Sequence, residues 1–412
     1  MRSLASRTTP KRTYLAPVSE ELFAPWPVFS EDEIEAVTAV LRSGKVNYWT
    51  GTEGLRFEDE FASYVGCKYG IAVANGTVAL ELALRAYGIG NGDQVITSSR
   101  TFLATASSIV AVGATPIFAD VDRDSQNLTA GSICAVLTPA TKAIIVVHLA
   151  GHPCEMDEIN SLARKHGLRV IEDCAQAHGA TYKGQPVGSL GGIGAFSFCQ
   201  DKNMTTAGEG GMATTNSPEL WRRMWAYKDH GKCYDAVFHR EHPSGFRWLH
   251  ESFGTNWRLS EVQSAVGRAA LRKLPEWVAI RRRHAHCMTQ RLSRLPGLRI
   301  PLPADHIHHS YYRYYTFIDL GVTAPGWDRD RVANAIRAHG VPCSVGSCSE
   351  VYLEKAFPAR WRPSTRLPVA RELGETSLAF LVHPTLSEAA IRHTCDVIEE
   401  VMTNAVQGVS RR

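Results

Sequence analysis

Seven short and mostly apolar runs, spaced by helix-like segments, decide most of what this chain can become. They cover residues 69–74, 94–97, 115–119, 143–149, 168–172, 195–198 and 212–215. Most are continuously apolar, which means burial on both faces, and a mainly parallel sheet with helices above and below provides that. Helices are expected between them at 78–86, 103–112, 156–166 and 219–229. The third carries Met156, Ile159, Leu162 and Ala163 on one stripe. Upstream, Ser30 caps a further helix to Ser43, with Glu33 three residues on, and another is expected near 55–64. The pattern predicts an α/β fold built on a mainly parallel seven-stranded sheet sandwiched by helices.

Beyond Gly254 the pattern changes. Helices near 260–271 and 277–295 are expected, broken from one another at Pro275. Strands at 312–318 and 341–345 then mix with helices at 329–338 and 388–403, which indicates a smaller C-terminal α+β domain. The expected division is a basic flexible tail at 1–19, a large domain at 20–270 and a small domain at 271–412.

Composition removes several function classes. The 412 residues are 44% apolar and 21% charged, with a net charge of +4 and no dense basic run, so no nucleic-acid partner is expected. Ten cysteines are scattered without a CxxC pair and read as reduced thiols. The tail carries Arg2, Arg7, Lys11 and Arg12 but no apolar core for secretion. No apolar run approaches the roughly 20 residues that a membrane helix needs, and the expected location is the cytoplasm. Asp120, Asp122 and Asp124 alternate as in a calcium loop, but Ser125 and Gly131 stand where that loop needs glycine and glutamate. The glycines of 88–93 follow a helix and precede a strand, the wrong order for a dinucleotide fingerprint. His148 and His152 lack a third ligand at metal spacing, so no metal is expected.

Ligands of open parallel sheets gather at the carboxyl ends of the strands. Asp173 ends one strand, Lys202 follows another, and Asn75, Gly76 and Thr77 join a third to its helix. Thr101 and Phe102 occupy a fourth such turn. Singly, each has an ordinary alternative: a solvated lysine, a strand-end turn, a helix cap, a core ring. Together they make an anion seat, an aromatic plate, a carboxylate and an amine at one sheet edge. Pyridoxal 5'-phosphate requires that set. Its phosphate needs helix N–H groups, its ring a stacking face, its pyridine nitrogen a carboxylate and its aldehyde a lysine for the Schiff base.

Four segments carry a more specific signal: ANGTVALELAL (74–84), TFLATASSI (101–109), VIEDCAQAHGA (170–180) and SFCQDKNMTTAGEGG (197–211). In order and spacing, with SGKVNYWTG, HLAGHPCEMDEI and TNWRLSEVQSAVG beside them, they resemble the DegT-type sugar aminotransferases of the fold type I pyridoxal-phosphate enzymes. The resemblance runs from about Trp26 to the C-terminal helix. It implies that Lys202 forms the Schiff base and that Gly76, Thr77 and Ser197 hold the phosphate. By the same resemblance Phe102 stacks on the ring, Asp173 pairs with the pyridine nitrogen and Gln176 approaches the ring or its phenolic oxygen. Asn256 is similar to an asparagine that reaches the neighbouring subunit's cofactor, which implies a homodimer with shared sites.

The implied activity moves an amino group from an amino acid, L-glutamate by resemblance, to a keto carbon of a nucleotide-linked sugar. Aminosugar biosynthesis for surface polysaccharide such as lipopolysaccharide is the expected process. A keto-cyclitol acceptor is an alternative. A dehydratase branch of the family replaces the lysine by histidine or recruits an iron–sulfur cluster, whereas here Lys202 is present and no cysteine cluster is visible. A non-catalytic regulatory relative would not need Lys202, Asp173 and the phosphate seat together. One departure from the family pattern is HHSYYRYYTF (308–317), where a histidine is often aligned near Tyr312; His309 and Tyr311 are candidate substrate contacts there.

Overall fold

The computed structural model describes residues 22–241 and 248–407; the expected tail at 1–19 lies outside the described residues. Seven strands pair into one sheet: β1 (Tyr69–Val73), β2 (Gln94–Ser98), β3 (Thr115–Ala119), β4 (Thr141–Val147), β5 (Arg169–Asp173), β6 (Ile193–Ser197) and β7 (Gly211–Thr215). Their order is β1-β7-β6-β5-β4-β2-β3. Neighbours run parallel except at β7, which pairs antiparallel with both β1 and β6. Val147 lies opposite Asp173, and Asp173 opposite Ala195, so the carboxyl ends of the central strands are level. The reversed β7 brings its first residue, Gly211, to the same edge, opposite Val73 and Ser197.

Successive side chains of a strand point to opposite faces, and both faces here are covered. Ile71, Val73, Val95, Ile145, Ile171 and Ala195 pack against the Gly76–Ala86 helix on one side. Ala72, Phe196 and Met212 face Phe57 and Phe61 of the Glu53–Val65 helix on the other. The rings of Phe57, Phe61, Phe196 and Phe198 meet tilted or edge-on, with centroids 4.9 to 5.9 Å apart. Full burial of each contributes about 1.5–3 kcal/mol.

The expected break at Pro275 does not occur. One helix runs from Glu261 to Leu292 with Pro275 inside it. Proline forfeits one backbone hydrogen bond, but apolar packing on either side outweighs that loss. Leu271, Leu274 and Val278 are buried with the sheet's second face. Ala285, Met288 and Leu292 are buried in another core, where Leu22 and Phe23 also pack. That second core is built on a four-stranded antiparallel sheet ordered Leu298–Arg299, Tyr314–Ile318, Ser377–Phe380 and Cys343–Ser344. The strand expected at 341–345 shrinks to two residues because Pro342 cannot donate to the ladder and Gly346 turns away at φ 81°. A small three-stranded sheet of Gln185–Pro186, Thr181–Tyr182 and Ile307–His308 gave no sequence signal. Among the described residues, no helix is long and apolar enough to cross a membrane.

Candidate active site

The edge begins where β1 meets its helix. Asn75 caps the Gly76–Ala86 helix, its side chain accepting from the Val78 N–H at 3.0 Å. The N–H groups of Gly76 and Thr77 have no partner inside the helix and point, with the positive end of its dipole, off the edge. Gly76 is required by a close approach: a Cβ there would lie 2.5 Å from Cβ of Ser197 at the end of β6. Gly211 is required likewise, since its Cβ would collide with the Asn75 carbonyl oxygen. The two glycines let three strand ends close around one spot. Thr77 is exposed on the first turn, and the Ser197 hydroxyl, which accepts from the Cys199 N–H at 3.3 Å, borders it.

Asp173 ends β5 and is buried. Its carboxylate accepts from the Thr105 hydroxyl at 2.8 Å and from the Ala175 N–H at 3.1 Å. Burial pushes its pKa up, while those two donors and the Lys202 charge oppose the rise. Burial dominates because two neutral donors replace only part of a carboxylate's hydration. Such a carboxylate is served by a cation placed beside it.

Lys202 stands five residues past β6, its side chain 15% exposed. Trp26 donates from Nε1 to the Lys202 carbonyl oxygen at 2.9 Å and fixes the main chain. The Lys202 Nζ lies 4.7 Å from the centroid of the Tyr312 ring and 3.9 Å from Asp201 Oδ1. The Tyr312 hydroxyl and Arg313 both bond to Asp201. The amine is therefore held at a half-open edge rather than buried in a closed ion pair. His178, buried between Phe196 and Phe198, has its pKa pushed down to about 3 by burial first and by the Lys202 charge second.

The other expected residues divide. Gln176 is buried, its Oε1 accepting from the Ala150 N–H at 2.8 Å. Phe102 precedes the Leu103–Ala111 helix with its ring 70% exposed, so it is not a core residue. Asn256 is exposed and pairs through its backbone with Asp229. The next residue, Trp257, accepts from the Ala74 N–H at 2.9 Å, so the segment runs beside the β1 end. His309 and Tyr311 face away from Lys202 into a separate cavity. Between the strands Ile307–His308 and Tyr314–Ile318 the chain turns at Tyr311, whose backbone is left-handed at φ 48°, and the next residue, Tyr312, lies on the lysine side.

Sequence reasoning missed Thr105, Trp26, Asp201 and Tyr312. Thr105 had a legible signal, since it lies four residues past Thr101 at the same strand-to-helix turn, and their hydroxyls meet at 2.7 Å. Tyr312 and Trp26 come from distant parts of the chain and had none. The set at this edge fits pyridoxal phosphate on the chemistry of its donors. It offers free helix N–H groups in a cradle that a Cβ would fill, a buried carboxylate lacking a bonded cation, an exposed ring and an accessible amine.

Residues 27–399 match the DegT/DnrJ/EryC1/StrS aminotransferase family. The chain belongs to this family and is an aminotransferase. It is 39% identical to the UDP-N-acetyl-3-dehydro-alpha-D-glucosamine 3-aminotransferase of Acidithiobacillus ferrooxidans, over 85% of this chain and 89% of that one. It is 34% identical to the dTDP-3-amino-3,4,6-trideoxy-alpha-D-glucose transaminase of Streptomyces venezuelae, over 89% and 90%. Among solved structures, the aminotransferase from Psychrobacter cryohalolentis superposes with a TM-score of 0.91 at 54% identity, over 93% of this chain and 99% of that one.

Proposed function

We propose that the protein is a pyridoxal-phosphate enzyme that transfers an amino group from L-glutamate to a keto carbon of a nucleotide-linked sugar. The observation that carries this reading is the convergence of Lys202, Asp173 and the Gly76–Ser197 cradle on one sheet edge. The two curated relatives, named for amino groups at sugar carbon 3 on UDP and dTDP carriers, support the acceptor class.

In this reading the N–H groups of Gly76 and Thr77, with the Thr77 and Ser197 hydroxyls, bind the phosphate. Phe102 covers one face of the ring, Asp173 holds a proton on the ring nitrogen, and Gln176 flanks the ring. Pyridoxal phosphate supplies an aldehyde that captures an amine and a protonated ring that withdraws electrons from the adjacent carbon. Lys202 Nζ is the resident amine. Freed by the amino donor, it would take a proton from the donor's α-carbon and deliver it to the carbon that had carried the aldehyde, as general base and then general acid. Asn256 of a second copy completes the phosphate site, so the working unit is a homodimer. The enzyme works in the cytoplasm, making aminosugar for surface polysaccharide.

Purified protein is expected to be yellow, and L-glutamate should bleach the visible band. Lys202→Ala should abolish transamination of 3-keto and 4-keto nucleotide sugars, followed as 2-oxoglutarate release. Wild-type turnover by that variant would refute the assignment.

A further inference from the structure

The segment from His309 to Tyr312 is a wall with two sides. Tyr312 serves the Lys202 side, while His309 and Tyr311 line a cavity of about 300 Å³ on the other. Across the cavity stand His152 and the turn at 122–129, with Leu302 at its exposed rim. The transamination chemistry uses none of these side chains.

Contacts at Nδ1 favour one tautomer for each of two histidines in this cavity. His309 Nδ1 accepts from the Tyr311 N–H at 2.9 Å, so the ring proton sits on Nε2. His152 Nδ1 lies 2.8 Å from the Pro153 carbonyl oxygen, which can only accept. Asn127 Nδ2 is farther from that nitrogen, at 3.5 Å, and donates to the His152 carbonyl oxygen at 2.7 Å, so the shorter contact puts the proton on Nδ1 and leaves Nε2 with a lone pair. The rings cross edge-to-face with centroids 5.3 Å apart. Neither Nε2 has a hydrogen-bond partner among the described residues, and neither is among the atoms sealed from open space. Burial lowers both pKa values and keeps both rings neutral.

The carboxylates that line the cavity are already engaged, and the nearby Arg282 lines a different cavity. Asp122 accepts from the N–H groups of Asp124 and Ser125 at 3.0 and 2.7 Å. Asp124 pairs with Arg299, and Glu155 with His306 at 2.9 Å. Arg282, behind His309, donates to its carbonyl oxygen at 3.0 Å. A charged ligand entering here would lose its hydration without gaining an ion partner, which is unfavourable. A neutral ligand that both accepts and donates would satisfy two groups that otherwise wait for water.

We infer that this cavity is a second binding site, for a small neutral planar molecule that carries an amide edge. The carbonyl takes the His309 Nε2–H, the adjacent N–H donates to His152 Nε2, and the ring lies among Tyr311, Tyr314 and Leu128. The site adjoins the catalytic edge through one turn. The Ala150 carbonyl accepts from the Tyr312 N–H at 2.8 Å, and the Ala150 N–H holds Gln176. The inference stands whether or not the sugar assignment does.

The test titrates the holoenzyme with nicotinamide and benzamide, and with benzoate as the charged control, by calorimetry and saturation-transfer NMR. Both amides should saturate one site per chain, and benzoate should not. His309→Leu should weaken both by about tenfold, the loss of one buried hydrogen bond. Leu302→Trp, on the exposed rim, should block entry and decides the matter should His309→Leu fail to fold. Failure of either amide to saturate, equal binding of benzoate, or amide binding that ignores the variants would overturn the inference.

Discussion

Replacing Thr105 by valine tests how the site's central carboxylate is held. The change keeps the shape of the side chain and removes the hydroxyl that donates to Asp173 Oδ2 at 2.8 Å, leaving the Ala175 N–H as the other donor. A hydrogen bond to a charged group is worth about 1.5–3 kcal/mol, against about 0.5–1.5 kcal/mol to a neutral one. Asp173 already has its native pKa raised above the ordinary 3.8. The native carboxyl thus keeps its proton to higher pH than the unfolded one, and stability falls as pH rises from 3.8 through the native pKa. Thr105→Val widens that gap by about one pH unit, at 1.36 kcal/mol per unit. Unfolding of cofactor-free protein, followed by circular dichroism from pH 4.5 to pH 8.5, should show a cost for the variant that grows toward alkaline pH. Thr105→Ser, which keeps a hydroxyl, should behave as wild type. A cost that is the same at every pH would refute this account of the carboxylate.

Three further substitutions probe the frame of the site. Gly76→Ala places a methyl 2.5 Å from Ser197 Cβ and should weaken pyridoxal phosphate binding by about tenfold or more, read by equilibrium dialysis, while costing about 1–3 kcal/mol of stability. Unchanged affinity would show that the cradle is not the phosphate seat. Glu172→Ala strips the partner from the N–H groups of Gly188, Leu190 and Gly191 and from His148. It should cost about 3–5 kcal/mol in urea unfolding, and a loss under 1 kcal/mol would contradict the pairing. Pro275→Ala restores an N–H to the middle of a helix packed on both sides, and a gain of about 1 kcal/mol is expected; a clear loss would mean that the proline is needed there.

Most of the seven strands were legible because double-sided burial demands continuous apolar runs. The candidate edge was legible for a related reason: Asp173, Lys202 and Gly76 each sit at or just past a strand end. What escaped was set by contacts between remote segments. Tyr312 meets Asp201 across 111 residues of chain, and Trp26 meets Lys202 across 176. The pairing of Ile307–His308 with Thr181–Tyr182 involves two residues on each side, too few to show a period. Pro275 misled because its local preference is strong, whereas the packing that overrules it comes from two separate cores. His309 and Tyr311 were near the right place in sequence, but the chain turns at Tyr311 in a left-handed conformation, φ 48°, that a tyrosine does not announce, and this separates them from Tyr312.

The uninterrupted Glu261–Leu292 helix has a mechanical consequence. It buries Leu274 and Val278 in one core and Ala285 and Met288 in the other, so it acts as a beam riveted at both ends. Rotating one core against the other would have to bend that beam between Val278 and Ala285, tearing backbone hydrogen bonds or extracting side chains from one core. Any opening at the candidate edge around Lys202 would then have to come from its loops, with the two cores kept as one piece.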